Sequence, residues 1–168
     1  LAMEVSIKKI ISHGDGEKTI VLIDCGAKRN IVRRLLSRGL KVVVVPWDTD
    51  VTQLNFPFDG VLISNGPGDP TRVKQTIKNV KKILAKKIPT LGICLGNQIL
   101  TLASGGSTFK LKFGHRSQNQ PVIENSTKKC YLTTQNHGFA VGAIPKGFKE
   151  WFHNANDKTN EGIIHDSE

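Results

Sequence analysis

An α/β three-layer domain with a mostly parallel central sheet and a short antiparallel β flank is predicted for this chain by three observations. Continuous apolar runs rich in β-branched residues recur at 19–25, 41–45 and 60–64, the mark of strands buried on both faces of a parallel sheet. Between them lie stretches with apolar residues at helical spacing, the order of βαβ units with right-handed crossovers. After residue 105 the pattern changes to brief β stretches joined by Gly, Pro and Asn, too short to carry crossovers.

Residues 1–18 are weakly patterned and read as a lead-in, with residues 19–168 as one domain; 168 residues at 38% hydrophobic content are enough for one proper core. Thr19-Ile20-Val21-Leu22-Ile23-Asp24-Cys25 is the first strand, and Gly26 breaks it. A helix is expected over 30–38, with Ile31, Leu35 and Leu36 on one face and Gly39 as its stop. Residues 41–45 form the next strand, closed by Pro46, and 60–64 the third. In the loop Asn65-Gly66-Pro67-Gly68-Asp69-Pro70, Asp69 suits an N-cap and Pro70 the first position of a helix carrying Val73, Ile77, Val80 and Leu84. Residues 89–100 then read as strand, sharp turn and helix, ending near Gly105-Gly106. The later β stretches fall at 108–112, 129–134, 139–141, 151–154 and 162–165.

The turn at Cys94 organises the rest. Gly92 and Gly96 remove side chains that would collide where the strand doubles back into the helix, so the residue between them is presented at a strained, exposed position. A helix beginning just after Cys94 aims free N–H groups and the positive end of its dipole at the sulfur, favouring thiolate. A lone cysteine at the end of an apolar run is more often a buried core residue; the two glycines and Gln98 one turn on favour a nucleophile.

Composition narrows the partners. The net charge is +10, but the excess sits largely on Lys74, Lys78, Lys81, Lys82, Lys86 and Lys87 without interleaved aromatics, which reads as a solvated helix face rather than a nucleic-acid platform. An acidic protein partner is compatible with it. No apolar run approaches the ~18 residues needed to cross a bilayer, and no signal pattern opens the chain, so a soluble, cytoplasmic protein is expected. Cys25, Cys94 and Cys130 are odd in number and lack a C-x-x-C pair, which argues against a disulfide framework and a cysteine zinc site; no metal is expected.

Gly92-Ile93-Cys94-Leu95-Gly96-Asn97-Gln98 resembles the elbow of class I, triad-type glutamine amidotransferases. Cys25-Gly26-Ala27-Lys28-Arg29-Asn30-Ile31, Ser64 to Pro70, Gln135-Asn136-His137-Gly138-Phe139 and Asn160-Glu161-Gly162-Ile163 look like the small, glutamine-hydrolysing chain of carbamoyl-phosphate synthetases. That resemblance implies that Cys94 attacks the glutamine amide and that the N–H groups of Leu95 and Gly66 form an oxyanion hole. It implies that Gly66, Gly68, Leu95, Gln98, Asn136, Gly138 and Phe139 hold L-glutamine. It further implies ammonia delivery to a large partner subunit that uses ATP and bicarbonate, for arginine or pyrimidine synthesis, with no cofactor on this chain.

By the same resemblance a His-x-Glu dyad follows the Asn-Glu-Gly-Ile segment, and an N-terminal domain precedes the lead-in. None of the five histidines stands in a His-Pro-Glu sequence, so the domain is expected to be incomplete at both ends. His13 falls in the lead-in, His115 in a polar loop, and His153 and His165 on late β elements. For His137, between Asn136 and Gly138 in what reads as a β-turn, a structural or substrate-contact role outweighs that of a substitute base. Another amidotransferase of the same class, serving anthranilate or GMP synthesis, and a catalytically dead interaction module with this fold stay open as alternatives.

Overall fold

The computed structural model describes residues 1–167, so the C-terminal bound set from the sequence, Glu168, lies outside the described residues. The chain forms two compact units, one of Leu1–Ala103 and one starting at Ser104.

In the first unit, the weakly patterned start contributes a short helix α1 (Ala2–Val5) and a strand β1 (Ile11–His13). Then come β2 (Thr19–Asp24), α2 (Arg29–Leu36), β3 (Lys41–Pro46), β4 (Gly60–Ile63), α3 (Lys74–Ala85), β5 (Thr90–Gly92) and α4 (Leu95–Ala103). The sheet order is β1-β3-β2-β4-β5. Strands β2 to β5 run parallel, whereas β1 is antiparallel to β3, with Ile11 opposite Val44.

Strand pleating sorts the apolar runs into two layers. Val21, Ile23, Val43, Val45, Val61 and Ile63 pack on one face with Val80 and Ile83 of α3 and Ile99 of α4. Leu22, Val42, Val44 and Leu62 pack on the other face with Ile31 and Leu35 of α2. This is the three-layer arrangement expected from the runs. Helix α3 is also anchored through polar groups: the buried Thr76 hydroxyl donates to the Trp47 carbonyl at 2.9 Å and Asn79 Nδ2 to that of Asp48 at 2.8 Å. Its outer face carries Lys74, Lys78, Lys81 and Lys82, all exposed, and Lys82 is hydrogen-bonded to Asp50 at 2.5 Å.

One boundary differs from expectation. Asp69 does cap, its Oδ1 accepting from the Thr71 N–H at 2.9 Å. What it starts, however, is a 3-10 turn at Pro70–Arg72. Val73, at φ −91° and ψ 53°, leaves the helical region, and α3 begins at the next residue.

The second unit holds the antiparallel elements β6 (Thr108–Glu124), β7 (Cys130–Val141), β8 (Phe148–Asn154) and β9 (Asn160–His165). They are longer than the expected stretches and close on themselves as a four-stranded barrel in the order β6-β7-β9-β8. Register shifts between Lys110 and His115, and between Ser117 and Gln120, interrupt the pairing of β6 with β7. Two sequence readings are corrected here. His115, expected in a polar loop, is a buried residue of β6, and Asn136-His137-Gly138 is continuous strand within β7 rather than a turn. In both cases cross-strand pairing supplies the backbone partners that a turn would have supplied locally, His115 standing opposite His137 and Arg116 opposite Asn136.

Candidate active site

Parallel β2, β4 and β5 end at Asp24, Ile63 and Gly92, so the segments that follow them open at one edge of the sheet, where α/β folds bind ligands. After β5 the Ile93 N–H donates to the Ile63 carbonyl at 3.0 Å, which carries the chain one residue beyond the strand. Cys94 then takes φ +53° and is exposed. Helix α4 starts at Leu95; the Gln98 N–H donates to the Cys94 carbonyl at 3.2 Å and the Gly96 N–H to that of Ile93 at 2.9 Å.

The glycines are demanded by space. A Cβ on Gly96 would overlap the Ile63 carbonyl oxygen, and one on Gly92 would overlap the Gly96 carbonyl group. A Cβ on Gly66 would overlap the Cys25 carbonyl oxygen and stand 2.8 Å from Leu95 Cδ2. The loop after β4 is therefore pressed against both the end of β2 and the start of α4. Gly68 takes φ +100°, a backbone region that suits glycine.

Hydrogen bonds tie the two loops together. The Cys25 N–H donates to Ser64 Oγ at 2.9 Å, Lys28 N–H to Asn65 Oδ1 at 3.0 Å, and Asn65 Nδ2 to the Gly26 carbonyl at 3.1 Å. Asp24 Oδ1 accepts from the N–H groups of Gly26 and Ala27 at 2.9 and 2.7 Å. Cys25, unlike the exposed Cys94, is buried: burial, and then the neighbouring Asp24 charge, push its thiol up to about 12. Of the residues singled out from the sequence, Gly66, Gly68, Cys94, Leu95 and Gln98 lie in this first unit, Gln98 being buried on α4. Asn136, Gly138 and Phe139 lie on β7 of the second unit, Asn136 exposed and the other two half-buried.

The barrel holds a polar group that the sequence reading missed. His115 Nε2 is 2.9 Å from Asp157 Oδ2, and its Nδ1 is 2.9 Å from Glu161 Oε1 and 3.0 Å from Gln135 Oε1. His137 Nδ1 is 2.8 Å from the Phe139 carbonyl oxygen, and its Nε2 is 3.0 Å from Gln135 Oε1. Burial lowers the His115 pKa, but the Asp157 hydrogen bond and the Glu161 and Asp157 charges outweigh it, and the net direction is upward. Gln135 and His137 stand two apart on a strand and so share a face; that period of two was the one signal available in the sequence.

Comparison with known proteins gives a consistent result. The family model for class-I glutamine amidotransferases matches residues 21–168. The chain is 51% identical over 99% of its length to the multifunctional protein CAD of Squalus acanthias, covering 8% of that protein. It is 48% identical over 98% of its length to the carbamoyl phosphate synthase small chain of Methanopyrus kandleri, covering 46% of it. The chain thus spans less than half the length of these relatives. A glutamine amidotransferase structure from Thermotoga maritima superposes with a TM-score of 0.72 at 19% identity, over 90% of this chain and 73% of that one, a likeness of fold.

Proposed function

Since the chain belongs to the class-I glutamine amidotransferase family, we propose that it cleaves the side-chain amide of L-glutamine through a Cys94 thioester and supplies the ammonia to a carbamoyl-phosphate synthetase large subunit. There, ATP and bicarbonate would be consumed to make carbamoyl phosphate. The observation that carries this reading is the exposed Cys94 at φ +53° between a strand and a helix start. The partner is inferred from relatives named as carbamoyl phosphate synthase small chains.

In this reading the Cys94 thiolate attacks the amide carbon and the carbonyl oxygen becomes an oxyanion held by the N–H groups of Leu95 and Gly66. An oxyanion there gains from the helix N-terminus, and glycine at position 66 leaves its N–H unshielded. Collapse breaks the C–N bond, ammonia leaves with a proton, and water hydrolyses the thioester to glutamate and free thiol. Gly68 and Gln98, in the same unit as Cys94, would contact the amino acid's α-amino and α-carboxylate groups. Proton transfers fall to a base that the resemblance places in a His-x-Glu pair; His137 is instead held by the Phe139 carbonyl and Gln135, which supports a positioning role.

The test is Cys94→Ala in the assembled enzyme. Glutamine-dependent synthesis is expected to fall by on the order of 10⁴-fold or more, while synthesis from added ammonia persists. Unchanged glutamine use would leave a non-catalytic module with this fold as the reading.

A further inference from the structure

The barrel cluster has too many acceptors for the protons that ordinary neutral histidines supply. His137 Nδ1, 2.8 Å from the Phe139 carbonyl, must carry the hydrogen, because a carbonyl can only accept. Its Nε2 lone pair then faces Gln135 Oε1 at 3.0 Å and Glu161 Oε2 at 3.3 Å, both acceptors. His115 repeats the pattern: Nε2 carries its hydrogen to Asp157 at 2.9 Å, and Nδ1 faces Glu161 Oε1 at 2.9 Å and Gln135 Oε1 at 3.0 Å. Gln135 does not reverse this, since its Nε2 is engaged in donating to Thr133 Oγ1 at 3.1 Å. With both rings neutral, two ring lone pairs and an amide oxygen therefore converge on the Glu161 carboxylate, whose one donor among the described residues is Asn154 Nδ2 to Oε1 at 3.3 Å. The cluster is enclosed: the side chains of His115, His137 and Glu161 are only 10%, 12% and 9% exposed.

We propose that His115 Nδ1, His137 Nε2 and the Glu161 carboxylate bind one divalent transition-metal ion of the zinc class, with Gln135 Oε1 as a fourth donor. The ring and carboxylate atoms lie within 4.8 Å of one another. Neighbouring donors on a tetrahedral ion with bonds of ~2.0–2.2 Å stand ~3.4 Å apart, so small side-chain rotations suffice. Charge agrees: two neutral rings with the Glu161 and Asp157 carboxylates sum to −2, which a divalent ion cancels. Nitrogen-rich donors favour zinc, cobalt or nickel over calcium or magnesium. The outer shell is in place as well. Each ring gives its second N–H to a carboxylate or a backbone carbonyl, the arrangement that fixes tautomer and orientation in metal sites.

The ligands come from β6, β7 and β9, and β7 is registered with β9 only through Val141 opposite Asn160. The ion bridges that seam. The ligands do not include Cys94, and metal binding is read without glutamine, so its failure is distinguishable from failure of the amidase reading.

The test is titration of the metal-stripped chain with Zn²⁺ and Co²⁺, read by elemental analysis after dialysis, by the visible absorption of bound Co²⁺ and by ¹⁵N shifts of the histidine rings. One equivalent is expected, with Co²⁺ absorption lacking thiolate charge transfer and the His115 and His137 rings shifting on Zn²⁺. Glu161→Gln and His137→Ala should abolish binding. Asp157→Asn should weaken it by ~10–100-fold, while Cys94→Ala and His165→Ala leave it intact. The rival is a pair of imidazolium rings that supply the missing hydrogens themselves. Both rings doubly protonated near pH 7.5 and unmoved by Zn²⁺ would overturn the proposal, and the wild-type spectra decide this even if a variant fails to fold.

Discussion

A cysteine at φ +53° carries about 1–2 kcal/mol of backbone cost that glycine would avoid, and the neighbouring glycines keep the turn sterically possible. At this scale two outcomes are expected. Iodoacetamide at mildly acidic pH should label Cys94 first, because it is exposed beside a helix N-terminus, while Cys25, buried with its thiol raised to about 12, stays refractory until unfolding; comparable labelling of the two in the native protein counts against the site. Gly96→Ala should destabilise by ~1–3 kcal/mol or more in urea unfolding, since the added Cβ overlaps backbone. Gly39→Ala, which meets nothing within 4 Å, carries only the strain of its left-handed backbone and should cost less. The tight turn at Cys94 was legible from sequence because steric need left two glycines around it. The barrel histidines were not, because their partners come from three strands and no local spacing brings them together.

Elements buried on both faces were the easiest to read. Strands β2, β3 and β4 are nearly continuous Val, Ile and Leu because helices cover each side of the sheet. Strand β1 escaped notice, since all three of its residues are exposed and burial imposes no pattern on them. Strand β6 was seen only at its start: its middle, Gly114 to Gln120, is polar, its pairing with β7 shifts register twice, and its buried side chain there is His115. Helix α3 supplies a pH-dependent link to the turn after β3. The Lys82 hydrogen bond, then that of Thr52, hold the Asp50 carboxyl below its ordinary range. A lowered folded pKa means that the unfolded state binds the extra proton, so this contribution is present above the ordinary carboxylate pKa of ~3.9 and lost as pH falls below it. Asp50→Asn should therefore remove a small acid-dependent part of the stability, well under ~1 kcal/mol because the pair is partly exposed. Identical acid limbs of the unfolding curves for wild type and variant would rule this link out.

At the scale of the whole molecule, the family, the parallel sheet and the antiparallel character of the second half were legible, while closure of that half into a barrel was not, because closure is a property of four strands together. The charge of +10 lies on exposed faces such as that of α3, without stacking aromatics. Binding to duplex DNA should accordingly be weak, insensitive to sequence, and lost between 50 and 200 mM salt as counterion release predicts; sequence-selective binding that survives physiological salt would contradict it. The sheet of the first unit, unlike the closed barrel, ends in open hydrogen-bonding edges. An open edge invites a strand from another molecule, and proteins guard against it with short edge strands and lysines. Strand β1 has three residues, with Lys8 and Lys9 before it and Glu17 and Lys18 after it. A stretch that looked like mere lead-in thus has the shortness and flanking charges that disfavour pairing with a strand of another copy.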